Sequence, residues 1–317
     1  MAEDMFRTDL ALEAREMMAE EVRSSMSGIV VEEQRADDVT VTKVRVETEA
    51  ASRALGKKQG TYVTLELKKD GRDAQSDERL VSLLARQIRE MIPQKGTVLV
   101  VGLGNRSSTP DALGPRAVEG VFVTRHMREM MTEDAMQSVR SVCSFAPGVL
   151  GVTGIETAEI LRGVKEHVQP SVIIAVDALA SSSSERIATT VQLSDTGIHP
   201  GSGVGNRRFG IDEESMGVPV IAIGVPTVIY ASTIALDILH SLEKTGQVAC
   251  RFARGERVTE QRRRELLRGN MPNALNRLMV TPRDIDKLIA DMARVISRSI
   301  NKALYPSVRK GDAEYLQ

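Results

Sequence analysis

The sequence has no tryptophan, and only 3% of its 317 residues are aromatic. Platforms that bind single-stranded nucleic acid are built from stacked aromatic side chains, so that class of function is disfavoured from the start. Excess charge is lacking too: 42 basic residues meet 43 acidic ones, leaving no whole-protein field to draw the chain onto nucleic acid or an anionic membrane. Cysteine is scarce. Cys143 and Cys250 stand alone in their segments, which gives neither a disulfide framework nor a CxxC pair and fits a reducing compartment. No run approaches the roughly 18 apolar residues needed to cross a bilayer, and the N-terminus lacks a basic-then-apolar signal pattern. These absences predict a cytoplasmic protein with no direct nucleic-acid or membrane partner.

Several chemical signatures are missing as well. HExxH does not occur, and His126, His167, His199 and His240 show no ligand spacing. There is no GxSxG elbow for a serine nucleophile, and Cys143 sits in SVCSFAPG, a packing context. The P-loop pattern is absent, and a dinucleotide fingerprint starting at Gly102 fails because Ser107 occupies the third glycine position.

What is present is an apolar content of 42%, enough for a sizeable core. Residues 8–24 read as an appended helix or leader. Alternating valines from Ile29 to Leu67 then predict three strands. A helix follows from a cap at Ser76 to Pro93, with Leu80, Leu84 and Ile88 on one face. TVLVVGLG (97–104), SVIIAVDAL (171–179) and VPVIAIGVP (218–226) are unbroken apolar runs of the kind buried on both faces of a parallel sheet. Amphipathic segments alternate with them, around Ile155 to Val168, at 231–242, and from a cap at Thr281 with Pro282 in the first turn. The pattern predicts an α/β fold, a doubly wound and mainly parallel sheet flanked by helices, with an N-terminal β-rich addition. Residues 250–270, rich in arginine, read as a basic helical insertion. Ser181 to Ser184 reads as a flexible loop.

Two segments place a carboxylate after a buried strand. In GLGNRSSTPDALGP, Gly102 and Gly104 permit a sharp turn, Asn105 offers an amide, and Thr109-Pro110 resembles a helix start that puts Asp111 in the first turn. In VDALASSSS, Asp177 follows the strand directly. Two carboxylates brought together cannot both ionise cheaply, so one holds a proton while the other activates water. A divalent metal held by Asp111 and Asp177 is the alternative. A non-enzymatic α/β binding protein is the third reading. His199, in a glycine-rich connection, is a further candidate for the cleft.

RTDLALEA near the N-terminus, GLGN…TPDALGP, APGVLGVTGIET, VDALA, GSGVGNRR, GVPTVI and LMVTPRDID together resemble the germination protease family of spore-forming bacteria. The resemblance implies an endopeptidase acting on small acid-soluble spore proteins in the spore core, a homotetramer, and a fold similar to the hydrogenase-maturation peptidases. It carries the family's two essential aspartates onto Asp111 and Asp177. It also implies a self-processing zymogen. Thr8-Asp9-Leu10-Ala11 matches the family's cutting preference, so cleavage is expected between Asp9 and Leu10, with 1–9 as propeptide and 10–317 as the α/β peptidase domain. Acidic substrate could dock on Arg207, Arg208 or the arginines of 251–268.

Overall fold

A computed structural model describes residues 8–18, 27–68, 74–130, 139–199, 210–244 and 278–306, with single positions between 264 and 275. Arg207 and Arg208 lie outside these residues, as does nearly all of the 250–270 insertion.

One sheet carries the molecule. Its strands are β1 (Ile29–Ala36), β2 (Val39–Val46), β3 (Gly60–Leu67), β4 (Val98–Gly102), β5 (Val142–Phe145), β6 (Val172–Ser181), β7 (Thr190–Ser194), β8 (Val220–Tyr230) and β9 (Met279–Val280). The order is β1-β2-β3-β7-β8-β6-β4-β5, with β9 on β8. β8, β6, β4 and β5 are mutually parallel, as expected for the unbroken apolar sequences of β4, β6 and β8. The remaining pairings are antiparallel, so the β-rich N-terminal addition extends the same sheet through β3 and β7 and makes it mixed.

Helices cover both faces. α1 is Ala11–Glu16, α2 Glu49–Leu55, α3 Ala74–Met91, α4 Leu113–Glu119, α5 Thr157–Val168, α6 Ala231–Lys244 and α7 Ile285–Leu304. On one face Leu84 and Ile88 of α3 and Ile289, Ile296 and Ile300 of α7 pack on Val98, Val100, Val172 and Ile174. On the other, Leu161 of α5 packs on Leu99, Val101, Ile173 and Ala175. The alternation along β4 and β6 is the period of two expected of strands buried on both sides.

Three local expectations change. α2 interrupts the predicted strand series, capped by the Thr48 hydroxyl on the Ala51 N–H and ended by Gly56 in the left-handed region. α3 begins at Ala74, so Ser76 lies inside its first turn instead of capping it. α7 begins at Ile285, because the Thr281 hydroxyl donates to the Thr227 carbonyl of β8 at 2.9 Å and anchors the loop to the sheet.

Candidate active site

β4 leads outward to β5, whereas β6 lies on its other side, so the chain reverses direction across the sheet between β4 and β6. Crevices at the carboxyl ends of strands open at such switch points. A cleft of about 1080 Å³ lies there, lined by Asp111, Asp177, Asn105, Gly104 and His199 among others.

β4 ends at Gly102, opposite Val176. β6 does not end there: Asp177 stands within the strand, not in a loop after it, and its register partner is Gly224 of β8. It is the first residue of β6 to run past β4, is 6% exposed, and accepts the Ala178 N–H at 2.9 Å. Asp111 arrives from the β4 loop. It closes a single 3-10 turn, Thr109–Asp111, ahead of α4, so Thr109 is not the cap of an α-helix and supplies the carbonyl that accepts the Ala112 N–H. The Asn105 N–H donates to the Asp111 carboxylate at 2.7 Å. Gly104, at φ +110°, makes that turn; a Cβ there would stand 2.1 Å from the Asp111 carbonyl oxygen. Gly102 and Gly114 let α4 touch the strand ends, since a Cβ on Gly102 would meet the Gly114 carbonyl oxygen at 2.2 Å.

His199 stands exposed at the rim. Partial enclosure of its ring, then the Lys58 ammonium, lower its pKa from the usual value. Cys143 is half-buried and burial pushes its thiol pKa up, which disfavours the thiolate.

The cleft also receives the chain's own N-terminal segment. Thr8 and Asp9 line it beside both aspartates. The Asp9 N–H donates to the Ala180 carbonyl at 3.0 Å, and the Ala180 N–H donates to the Asp9 carboxylate at 2.8 Å. Ala180 is on the edge of β6 that β4 leaves open, where the Val176 carbonyl is already taken by the Leu103 N–H. One backbone hydrogen bond and the Asp9 carboxylate thus dock the segment on Ala180. Leu10 is fully buried, which stabilises the docking by about 1.5–3 kcal/mol. Glu13, 1% exposed, accepts from the Ser181 hydroxyl at 2.6 Å and the Ser182 N–H at 2.7 Å, bonds Thr8, and faces Arg186 at 3.2 Å. The serine run read as a flexible loop is therefore the receptor for Glu13. Nothing in the sequence marks Glu13 or Arg186, because their pairing joins residues far apart in the chain.

Among the described residues no three His, Cys, Asp or Glu side chains converge on a metal-sized site; one oxygen of each aspartate accepts a backbone N–H, and a carboxylate has acceptor capacity beyond one such bond.

A peptidase needs acid–base groups beside a surface that binds peptide, and this cleft has Asp111 and Asp177 in its lining beside the open edge of β6. The comparisons name the family. The germination protease model matches residues 8–251 and 255–316, and the chain belongs to that family. A germination protease of Caldanaerobacter subterraneus subsp. tengcongensis is 46% identical over 98% of this chain and 97% of its own length. One from Clostridium tetani is 40% identical over 96% and 97%. The NiFe hydrogenase maturation protease HycI from Thermococcus kodakarensis aligns at a TM-score of 0.31 and 15% identity, covering 68% of this chain and 98% of its own, a likeness too loose to bear on mechanism. No helix among the described residues is long and apolar enough to cross a membrane.

Proposed function

We propose that this germination protease is a cytoplasmic, aspartate-dependent endopeptidase that first cuts its own chain between Asp9 and Leu10 and then cuts small acid-soluble spore proteins in the same cleft. Residues 1–9 act as the propeptide and 10–317 as the peptidase, which works as a homotetramer. The observation that carries the reading is the placement of Thr8 and Asp9 in one cleft with Asp111 and Asp177, with Asp9 bonded to Ala180 of β6.

In this scheme the two aspartates share one proton. The ionised carboxylate takes a proton from water, whose oxygen adds to the Asp9 carbonyl carbon. The protonated carboxyl gives its proton to the Leu10 nitrogen as the C–N bond breaks. A carboxylate ends on Asp9 and an amine on Leu10. Before cutting, the docked leader occupies the position of a substrate and holds the enzyme silent.

Asp111→Asn and Asp177→Asn, made singly in the full chain, are expected to slow release of residues 1–9 by about 10²–10⁴-fold, read by intact mass. Release at the wild-type rate by either variant overturns the assignment. Wild-type protein chelated exhaustively, with its metal content measured, is expected to keep its rate; a loss restored by a divalent cation would transfer the chemistry to a metal-dependent peptidase.

A further inference from the structure

Lys57 and Gln192 are the polar side chains that meet the Asp9 carbonyl. Lys57 Nζ donates to the Asp9 carbonyl oxygen at 2.9 Å and to that of Thr8 at 3.1 Å. Gln192 Nε2 donates to the same Asp9 oxygen at 3.1 Å, while its Oε1 accepts the Ala11 N–H at 2.7 Å. The one amide therefore grips the backbone on both sides of Leu10, and these two contacts fix which end is nitrogen.

The sheet explains why Gln192 reaches this point. Gly224 of β8 is the register partner of both Asp177 on β6 and Gln192 on β7. Register partners on neighbouring strands share a face, and strands lie about 4.8 Å apart, so Asp177 and Gln192 stand about 10 Å apart on one face, with the Leu179 side chain lying over Gly224 between them. Lys57 enters from the turn after α2. Its backbone is fixed there by the Ser52 hydroxyl, which donates to the Lys57 carbonyl at 2.6 Å.

We propose that Lys57 and Gln192 are catalytic residues that polarise the scissile carbonyl and hold its oxygen as negative charge builds on it. The assignment rests on Asp9–Leu10 being the bond cut. As water adds to the Asp9 carbon, the π electrons pass to the carbonyl oxygen, and the Nζ–H and Nε2–H groups stay on that oxygen until the C–N bond breaks and the carbonyl re-forms. The aspartates move the protons, and this pair carries the charge. Burial works in the same direction, since a hydrogen bond to a growing charge is stronger out of water. The Lys57 ammonium is enclosed, which lowers its pKa, against the opposing pull of the Asp9 and Glu13 carboxylates.

The test is the first-order rate of self-cleavage in the full chain, followed by intact mass and N-terminal sequencing. Hydrogen exchange at the Ala180 N–H reads, in parallel, whether the leader stays docked. Lys57→Met is expected to slow cleavage by about 10²–10³-fold, the loss typical of one oxyanion donor, with Ala180 still protected. Lys57→Arg should recover part of that rate. Gln192→Glu keeps the acceptor for Ala11 but loses the donor, and should be slowed at least tenfold. Rates within twofold of wild type in Lys57→Met and Gln192→Glu overturn the assignment. So does loss of Ala180 protection in Lys57→Met, because Lys57 would then only hold the leader. Wild-type cleavage at another bond refutes the leader reading itself, which is a distinct result.

Discussion

At the scale of single residues, the site depends on backbone geometry as much as on acid groups. Asp111 is aimed by Gly104, whose φ of +110° and contact with the Asp111 carbonyl leave no room for a side chain. Gly104→Ala should cost about 1–3 kcal/mol in unfolding free energy. It should also lower peptide turnover through kcat more than KM, because Asp111 shifts while the β6 edge that binds peptide is untouched. Thermal unfolding and steady-state kinetics on one preparation check both. An unchanged kcat would mean that the Asn105 to Asp111 turn tolerates displacement.

At the scale of elements, α1 and its lead-in dock in the cleft. Glu13 is the anchor: buried, paired with Arg186 and bonded to Ser181, Ser182 and Thr8. Arg186 is shared with Glu16 at 2.7 Å and Glu66 at 2.7 Å, which link α1 to β3. Removing one partner of a buried pair costs about 3–5 kcal/mol, since the other charge is left uncompensated. Here Arg186 keeps two other carboxylates, so Glu13→Ala should fall at or below the low end of that range. It should release the leader, raise exchange at the Ala180 N–H and slow self-cleavage at least tenfold. A variant that cleaves at the wild-type rate would show that Leu10 burial and the bonds to Ala180, Lys57 and Gln192 hold the segment without Glu13.

At the scale of the whole molecule, distant segments close the cleft together. Lys58, next to the clamp lysine, pairs at 2.5 Å with Asp212, which caps the short helix Glu213–Met216 beside the His199 rim. Burial would raise the Asp212 pKa, but hydrogen bonds from Lys58 and Ser215 outweigh it and hold the carboxyl below its ordinary value. A depressed carboxyl pKa contributes stability that is complete above the unfolded value near 3.9 and is lost as pH falls through the lower folded value. Because Lys58 is half-exposed, the contribution is about 1 kcal/mol or less. Urea unfolding between pH 3 and 7 should show that loss on the acid side in wild type and a flatter limb in Asp212→Asn. Equal acid limbs would assign the loss to other carboxylates.

Much of this was legible in the residues alone. Unbroken Val and Ile runs specified the parallel strands β4, β6 and β8, since only a strand buried on both faces can be apolar throughout. Asp177 and Asp111, the latter in the loop after β4, stood out beside them, whereas the Asp9–Leu10 bond was marked only by the family resemblance. The β-rich start was readable as strands, though not as part of the same sheet, because pairing β3 with β7 joins residues far apart in the chain. The sequence could not reveal the groups that meet the leader. Lys57 stands in a turn that looks solvated, Gln192 in a strand that looks structural, and Glu13 in a helix that looks merely acidic. Each gains its role from a contact made only when the sheet closes: Gln192 reaches Ala11 across 181 residues and Lys57 reaches Asp9 across 48. Composition and periodicity determined which elements form and which acids they carry. Tertiary packing decided which polar groups lose water and face the peptide, since burial and register belong to the assembled sheet.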